Sequence, residues 1–338
     1  MMVNPIFSRY GVLVAALGVL GATACGSSGI TETTETENPG TQIIPPEAGN
    51  GNGAQRLIWT KDGTELVFHS NGLKAVSVGA HSIRPVWGES SVVDFSGPTV
   101  SGKVYFSTFL PVPSTSAEYK IARVEPSTGA TEVLPLASPS LTVAFVVSPD
   151  ERYVVGDAIY DLQTGAKASS FPYSPLGFSP DGTVFLARDP FASALVVVTG
   201  QGFHQQLATS DEAYIAHRWA ANVPQLLRMR YDAAKSSIRL YEIAGLSGAS
   251  SDLAELVSTG ANIYANYSAD GTLLGVWIQQ ESLWKLYVIR AGAAPTVAAS
   301  VAYSGTGHPG APVFSPDGKS VAYFLYSPDR SLYVKSGI

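Results

Sequence analysis

The chain has 338 residues, 45% of them hydrophobic and only 14% charged, and its net charge is −6. That length can bury a sizeable core, and 33 glycines and 22 prolines in place of charges suit a turn-rich, all-β protein. There is no basic tract and no Arg/Lys stripe, which argues against a nucleic-acid partner, because phosphate binding needs clustered cations.

At the amino terminus Arg9 is the only charged side chain before Cys25, and Gly11 to Ala24 is an unbroken stretch of small and apolar residues. At about 14 residues it is too short for a bilayer span, which takes about 20. A basic residue, a short apolar run and small residues in that order read as a signal peptide over residues 1–24. Cys25 is the only cysteine, so no disulfide within the chain is possible. Placed after Ala22-Thr23-Ala24 and before Gly26-Ser27-Ser28-Gly29, it resembles the lipobox cysteine of bacterial lipoproteins, although Ala22 stands where that motif favours Leu. The resemblance implies a thiol that accepts a diacylglycerol and becomes the first residue of the mature protein, held to the membrane by its acyl chains. The alternative is ordinary cleavage near Ala24, which leaves a soluble protein with a free thiol.

Residues 25–54 then read as the lipidated cysteine and a flexible tether. The segment holds Thr31 to Glu37 (TETTETE) and the Gly-Asn repeats of Gly49 to Gly53, and it has too few large apolar side chains to order itself. Ile43 and Ile44 are the exception.

From Gln55 a phrase repeats: an apolar residue, a small polar residue, then x-Asp-Gly, then a β-rich run. Its copies are Trp59-Thr60-Lys61-Asp62-Gly63, Phe178-Ser179-Pro180-Asp181-Gly182, Tyr267-Ser268-Ala269-Asp270-Gly271 and Phe314-Ser315-Pro316-Asp317-Gly318. Val147-Ser148-Pro149-Asp150 is a fifth, with Glu151 in place of Gly; Ser101-Gly102 and Ala221-Asn222 fit by spacing alone. The turns fall near residues 62, 102, 150, 181, 222, 270 and 317, about 31 to 48 residues apart. That is the scale of one four-stranded propeller blade. Pro presets φ, Asp caps the turn and Gly takes φ > 0, so each copy closes a hairpin. Runs such as Leu273–Trp277 and Leu283–Ile289 follow as strands, and no long amphipathic helix is legible.

These residues, with Ile-Tyr-Asp-Leu or Leu-Tyr-Val strands and Thr-Gly turns behind them, resemble the PD40 repeat of TolB-like β-propellers. The resemblance covers residues 55–338 and implies seven four-stranded blades around a central channel, with six blades as the alternative. TolB carries an α/β domain ahead of its propeller, and the stretch before Gln55 does not match one, so the likeness is to the repeat. The seventh copy stops after Ser331–Lys335 with its fourth strand missing. Thr41–Ile44 is the only unassigned β-prone segment, and we expect it to supply that strand and latch the ring.

Site chemistry is sparse. His69, His81, His204, His217 and His308 show no metal-ligand spacing, and no calcium loop or G-x-S-x-G elbow is present. Asp62, Gly63, Asp150, Asp181, Gly182, Asp270, Gly271, Asp317 and Gly318 are expected to be structural turn residues. Trp59, Trp87, Trp219, Trp277 and Trp284 are expected to fill space between blades. Candidate channel-lining residues are His217, Arg218, Asn266 and His308, which lie on or just before innermost strands. The expected function is a cell-envelope scaffold that binds a protein or glycan partner, monomeric, without cofactor or metal, facing the periplasm or the cell surface. The alternative is a propeller enzyme, a lactonase or glycan-acting hydrolase, with its site at the channel mouth.

Overall fold

The x-Asp-Gly phrase works as a small hydrogen-bonded device. A computed structural model describes residues 37–47, 56–70, 72–88, 92–97, 99–110, 118–136, 145–189, 194–199, 204–208, 214–246, 248–302, 307–327 and 329–338, all within the unit Thr36–Ile338. In it the buried hydroxyls of Thr60, Ser148, Ser179, Ser268 and Ser315 each donate to the Asp two residues on, at 2.6–2.7 Å. The same Asp oxygen accepts the N–H two residues further along, at 3.0–3.1 Å. Gly63, Gly182, Gly271 and Gly318 take φ between 68° and 73°, a conformation costly for other residues. These bonds hold the carboxyls of Asp62, Asp181, Asp270 and Asp317 below the usual carboxylate range.

Each turn joins the first and second strands of an antiparallel sheet, and there are seven sheets arranged as a seven-bladed β-propeller. The first six follow chain order, first strand to fourth: from Leu57–Trp59 to Ile83–Trp87, Val92–Ser96 to Thr131–Val133, Val146–Val147 to Lys167–Ser170, Ser174–Phe178 to His204–Ala208, Ala216–Ala220 to Ser250–Val257, and Ile263–Tyr267 to Thr296–Ala302. The turns near residues 102 and 222 therefore belong to blades of their own, which excludes the six-bladed alternative. First strands of neighbouring blades approach one another, third to fourth, fifth to sixth, sixth to seventh and seventh to first, so they are the inner ones. Among the described residues no helix is long and apolar enough to cross a membrane.

The middle strands read as nearly continuous apolar runs because both faces of a blade are covered. Successive side chains point to opposite faces, so Leu66 and Phe68 pack toward the seventh blade and Val67 toward the second. Seven hydrophobic clusters result, one at each seam between neighbouring blades. Trp59, Trp277 and Trp284 are buried in them.

In the seventh blade both His308–Pro309 and Val313–Phe314 pair with Ser320–Ser327, which pairs with Asp329–Ser336. The fourth strand is Thr41–Glu47, antiparallel to Asp329–Ser336, with Thr41 opposite Val334 and Ile44 opposite Leu332. Ile43 and Ile44 are 4% and 3% exposed, among Leu57, Trp59, Phe68, Phe324 and Leu332. The chain before the strand is fixed as well. Asn38 exchanges backbone hydrogen bonds of 2.9 and 3.1 Å with Ser300 on the outer strand of the sixth blade, and the Tyr323 hydroxyl donates to the Pro39 carbonyl. Gly40, at φ 90°, lies so close that a Cβ would stand 2.6 Å from the Val334 oxygen.

The turns also interlock around the ring. Gly63 lies against Pro316, Gly102 against Lys61, Gly182 against Pro149, Gly271 against Arg218 and Gly318 against Leu273. The two weak repeats are mended across seams. Thr99-Val100-Ser101-Gly102 lacks the Asp, and Glu151 of the next turn supplies a carboxylate, accepting from Thr99 Oγ1 at 2.6 Å, Ser101 N at 3.3 Å and Tyr105 OH at 2.9 Å. Asn222 in turn donates to Asp181 Oδ2 at 2.7 Å.

Two outcomes follow from this packing. Ile44→Ala should lower the unfolding free energy in urea by about 2–4 kcal/mol, the cost of a core deletion, whereas Glu37→Ala, at an exposed position, should leave it unchanged. Equal effects would mean that the latch contributes nothing. Glu151 sits at φ 56°, so Glu151→Gly relieves backbone strain of about 1 kcal/mol yet strips three hydrogen bonds from the neighbouring blade. We expect a net loss of about 1–3 kcal/mol; a gain in stability would show that strain outweighs the bridge.

Candidate functional site

The ends of the ring differ. One carries the x-Asp-Gly turns; the other, here called the mouth face, is where the chain enters each inner strand. Three clusters of chemistry-bearing side chains lie at or near the mouth face.

At the first three blades Arg56, just before an inner strand, donates to the Phe95 carbonyl at 3.0 Å and the Phe145 carbonyl at 3.5 Å. Its Nε lies 3.4 Å from Asp94 Oδ1. Asp94 also accepts the Phe95 N–H at 2.9 Å, and among the described residues its Oδ2 is buried without a partner. Burial raises its pKa over the opposing pull of Arg56.

At the fourth and fifth blades the Arg188 guanidinium lies over the Tyr214 ring, 5.3 Å from the centroid, a cation–π contact. Tyr214 OH and His217 Nδ1 are 2.7 Å apart, and the His217 ring meets Trp219 edge to face at 5.8 Å. Burial lowers the His217 pKa to about 4 and raises that of Tyr214. The Tyr214 O–H donates a hydrogen bond to Nδ1 when neutral His217 carries its own proton on Nε2. That nitrogen faces Gly177, where a Cβ would lie 3.0 Å away; the glycine makes room for the ring.

At the sixth and seventh blades His308 stacks on Tyr264, centroids 4.9 Å apart and 12° between planes, and meets Tyr326, its cross-strand neighbour, at 5.0 Å. All three rings are half-buried. Tyr264 rests on buried Trp284, and Tyr326 on Phe324, which reaches Phe68 of the first blade. His308 Nδ1 is 3.2 Å from the Pro309 carbonyl. With Nδ1 facing that carbonyl, Nε2 is the other polar edge of the ring.

The sequence candidates thus part company. His217 and His308 belong to clusters at this face. Arg218 instead makes a two-pronged pair with buried Glu242, at 2.6 and 2.7 Å, and Tyr267 of the next blade donates to the same carboxylate at 2.6 Å. Burial would raise the Glu242 pKa, but these partners bring it below the ordinary value, so the group is a tie between blades. Asn266 accepts the N–H of Tyr267 at 2.9 Å. The turn residues sit on the opposite face. Cys25 lies outside the described residues. Sequence reasoning missed Arg56, Asp94, Arg188, Tyr214, Tyr264 and Tyr326; only their place beside inner strands could have singled them out.

No family model matches the chain, and no curated protein matches it in sequence. Solved structures do. Dihydro-heme d1 dehydrogenase NirN is similar over 83% of this chain and 63% of its own, at 13% identity and a TM-score of 0.50. The β-propeller domain of Myceliophteria thermophila Cps50 (Swd1) is similar over 86% and 99%, at 12% identity and 0.54. TolB from Acinetobacter baumannii is similar over 83% and 63%, at 13% identity and 0.41. The chain therefore spans less than two thirds of NirN and of TolB. At such identities the likeness is one of fold, the β-propeller.

His217 gives this region a pH signature. Its folded pKa is about 4, below the ordinary 6.5. Above pH 6.5 the ring is neutral in both folded and unfolded chains. As pH falls from 6.5 toward 4 only the unfolded chain takes up the proton, so stability is lost across that window, up to about 3 kcal/mol. His217→Gln should flatten this part of the curve of unfolding free energy against pH. An unchanged slope would mean that His217 titrates alike in both states.

Proposed function

We propose that the chain is a cell-envelope lipoprotein whose propeller is a binding scaffold, using the mouth face to hold a protein or glycan partner. A lipid on Cys25 would hold it to the membrane. The observation that carries the reading is the row of half-buried rings Tyr264, His308 and Tyr326. Aromatic rings with one polar edge offer large contact area at small entropic cost, and the His308 ring adds a polar edge for hydrogen bonding to a partner. The neighbouring charges support the same reading, because Arg56 and Arg188 are already engaged with Asp94, backbone carbonyls and Tyr214.

The test joins address and binding. Mass spectrometry of the membrane fraction should find diacylglycerol on Cys25 as the first residue, and Cys25→Ala should release the protein from membranes. Capture of partners from solubilised envelopes should fall at least tenfold in the double variant Tyr264→Ser, His308→Ala, with the thermal midpoint kept by Tyr264→Phe as control. An unmodified thiol overturns the anchor. Undiminished capture by the double variant overturns the mouth as the binding surface, and hydrolysis of a lactone or glycan that depends on a mouth carboxylate would replace the scaffold with an enzyme.

A further inference from the structure

Three blades share one guanidinium at the mouth face. Arg56, just before the inner strand of the first blade, donates from Nη1 to the Phe95 carbonyl of the second blade at 3.0 Å. The same nitrogen donates at 3.5 Å to the Phe145 carbonyl, just before the inner strand of the third. Its charge partner is Asp94, on the inner strand of the second blade, and that contact is loose. Nε stands 3.4 Å from Oδ1, and among the described residues no hydrogen bond closes the pair. By contrast, Arg123 grips Glu132 with two hydrogen bonds of 3.0 and 2.8 Å, and Arg218 grips Glu242 with two of 2.6 and 2.7 Å.

Asp94 is nevertheless buried, its side chain 12% exposed. Oδ1 accepts the Phe95 N–H at 2.9 Å, and Oδ2 is buried with no partner among the described residues. The groups that face Asp94 come from three blades. The first brings Arg56, the second brings the Ser107 hydroxyl to the Asp94 backbone, and the third brings the backbone of Phe145. Arg56 is the charged group among them. Burial outweighs its pull and holds the Asp94 carboxyl above the ordinary carboxylate value. Glu242 is also buried, yet the close bonds of Arg218 and Tyr267 bring it below its own ordinary value. The contrast lies in hydrogen bonding, since an ionised carboxylate out of water needs its oxygens bonded.

We infer that Asp94 and Arg56 form a proton-operated clasp at the channel mouth. Ionised Asp94 holds Arg56 by charge across the first three blades. A proton taken from solvent binds at Oδ2, because Oδ1 is already engaged and Oδ2 is not, and it cancels the ion pair. Arg56 then keeps its two carbonyl bonds, one of them long at 3.5 Å. Its guanidinium, 37% exposed, stands at the mouth without a counter-charge. His217 is a separate group at the fourth and fifth blades, and burial keeps it neutral down to about pH 4. The clasp depends neither on the aromatic row nor on the lipid anchor.

The experiment follows the Asp94 carboxyl carbon and the Arg56 Nε–H resonance of the full chain, labelled with ¹³C and ¹⁵N, as pH is lowered from neutral. The Asp94 midpoint should lie above the ordinary 3.8, and the Arg56 resonance should move with the same midpoint. Asp94→Asn mimics the neutral carboxyl, so at neutral pH it should show the Arg56 resonance that the unaltered chain shows in acid, and it should show no further shift on acidification. Arg56→Gln removes the counter-charge and should move the Asp94 midpoint further up. Stability supplies an independent readout. A carboxyl whose folded value is raised contributes stability that is fully present below the unfolded value and lost as pH rises through the folded one. The unaltered chain should therefore lose stability relative to Asp94→Asn across that window. Should Asp94→Asn fail to fold, the two midpoints and Arg56→Gln still decide. An Asp94 midpoint at or below 3.8, an Arg56 resonance that does not follow it, or a midpoint unmoved by Arg56→Gln overturns the clasp.

Discussion

The pairing of Thr41–Glu47 with Asp329–Ser336 is the interaction on which the ring depends. Six blades are continuous in sequence and could each form by local hairpins. The seventh instead takes its fourth strand, Thr41–Glu47, from far away in the sequence. Without a fourth strand, Leu332 and Val334 would lie at an open edge, a row of unpaired backbone groups that proteins usually cover. Bringing the amino-terminal strand to that edge closes a loop of nearly the whole domain, and its entropic cost grows only slowly with length. Burial of two isoleucines, each worth about 1.5–3 kcal/mol, offsets much of that cost. The bridge from Asn38 to Ser300 extends the strap onto the sixth blade, so one segment ties three blades, the sixth and seventh by hydrogen bonds and the first through the shared core.

The turns make the ring a second time, and here the departures from the repeat are informative. A propeller turn needs an acceptor for its hydroxyl and N–H groups, but that acceptor need not come from the same turn. Where Ser101 stands in place of Asp, a glutamate from the neighbouring turn reaches in, and it does so from a position where its neighbours have glycine. Where the fifth blade has Ala221-Asn222, the amide reaches back to Asp181. Arg218 lies over Gly271 and ties Glu242 to Tyr267. Each irregular residue sits at a seam, and Glu151 and Asn222 both bond back to the preceding blade. The strong copies are self-sufficient; the weak ones are held by their neighbours.

This division also decides what could be read from the sequence. The turns, the blade count and the latch are legible because their chemistry is local or because one strand is missing and one segment is spare. Asp62 and Gly63 announce a turn within five residues, and Ile43-Ile44 stands out in an otherwise polar stretch of sequence. The mouth is a different matter. Tyr264 and His308 are on separate blades, as are Arg218 and Tyr267, and their meeting depends on how far each blade twists against the next. Strand alternation halves the choices for an inner-strand side chain but does not say which seam it enters. That is why His217 and Arg218, adjacent in sequence and read together as channel-lining, end in different arrangements, one against Tyr214 and Trp219 and the other in a salt bridge with Glu242.

A chain that is only 14% charged must use its charges with care, and here many of the partly buried ones are paired. Arg84 is bound to Glu65 and the Pro126 carbonyl, Arg123 to Glu132, Arg218 to Glu242 and Arg56 to Asp94. A buried charge left alone would cost several kcal/mol, so pairing across strands and blades is what permits these side chains inside a propeller. The consequence for recognition is that the two faces offer different chemistry. Near the channel mouth, aromatic rings and a histidine edge are presented beside arginines already engaged. On the turn face, the aspartates that cap the hairpins keep one carboxylate oxygen bonded inside their own turn. The same hydrogen bonds that build the turns hold those carboxyls in their charged form, so residues placed for stability also give the turn face its negative charge.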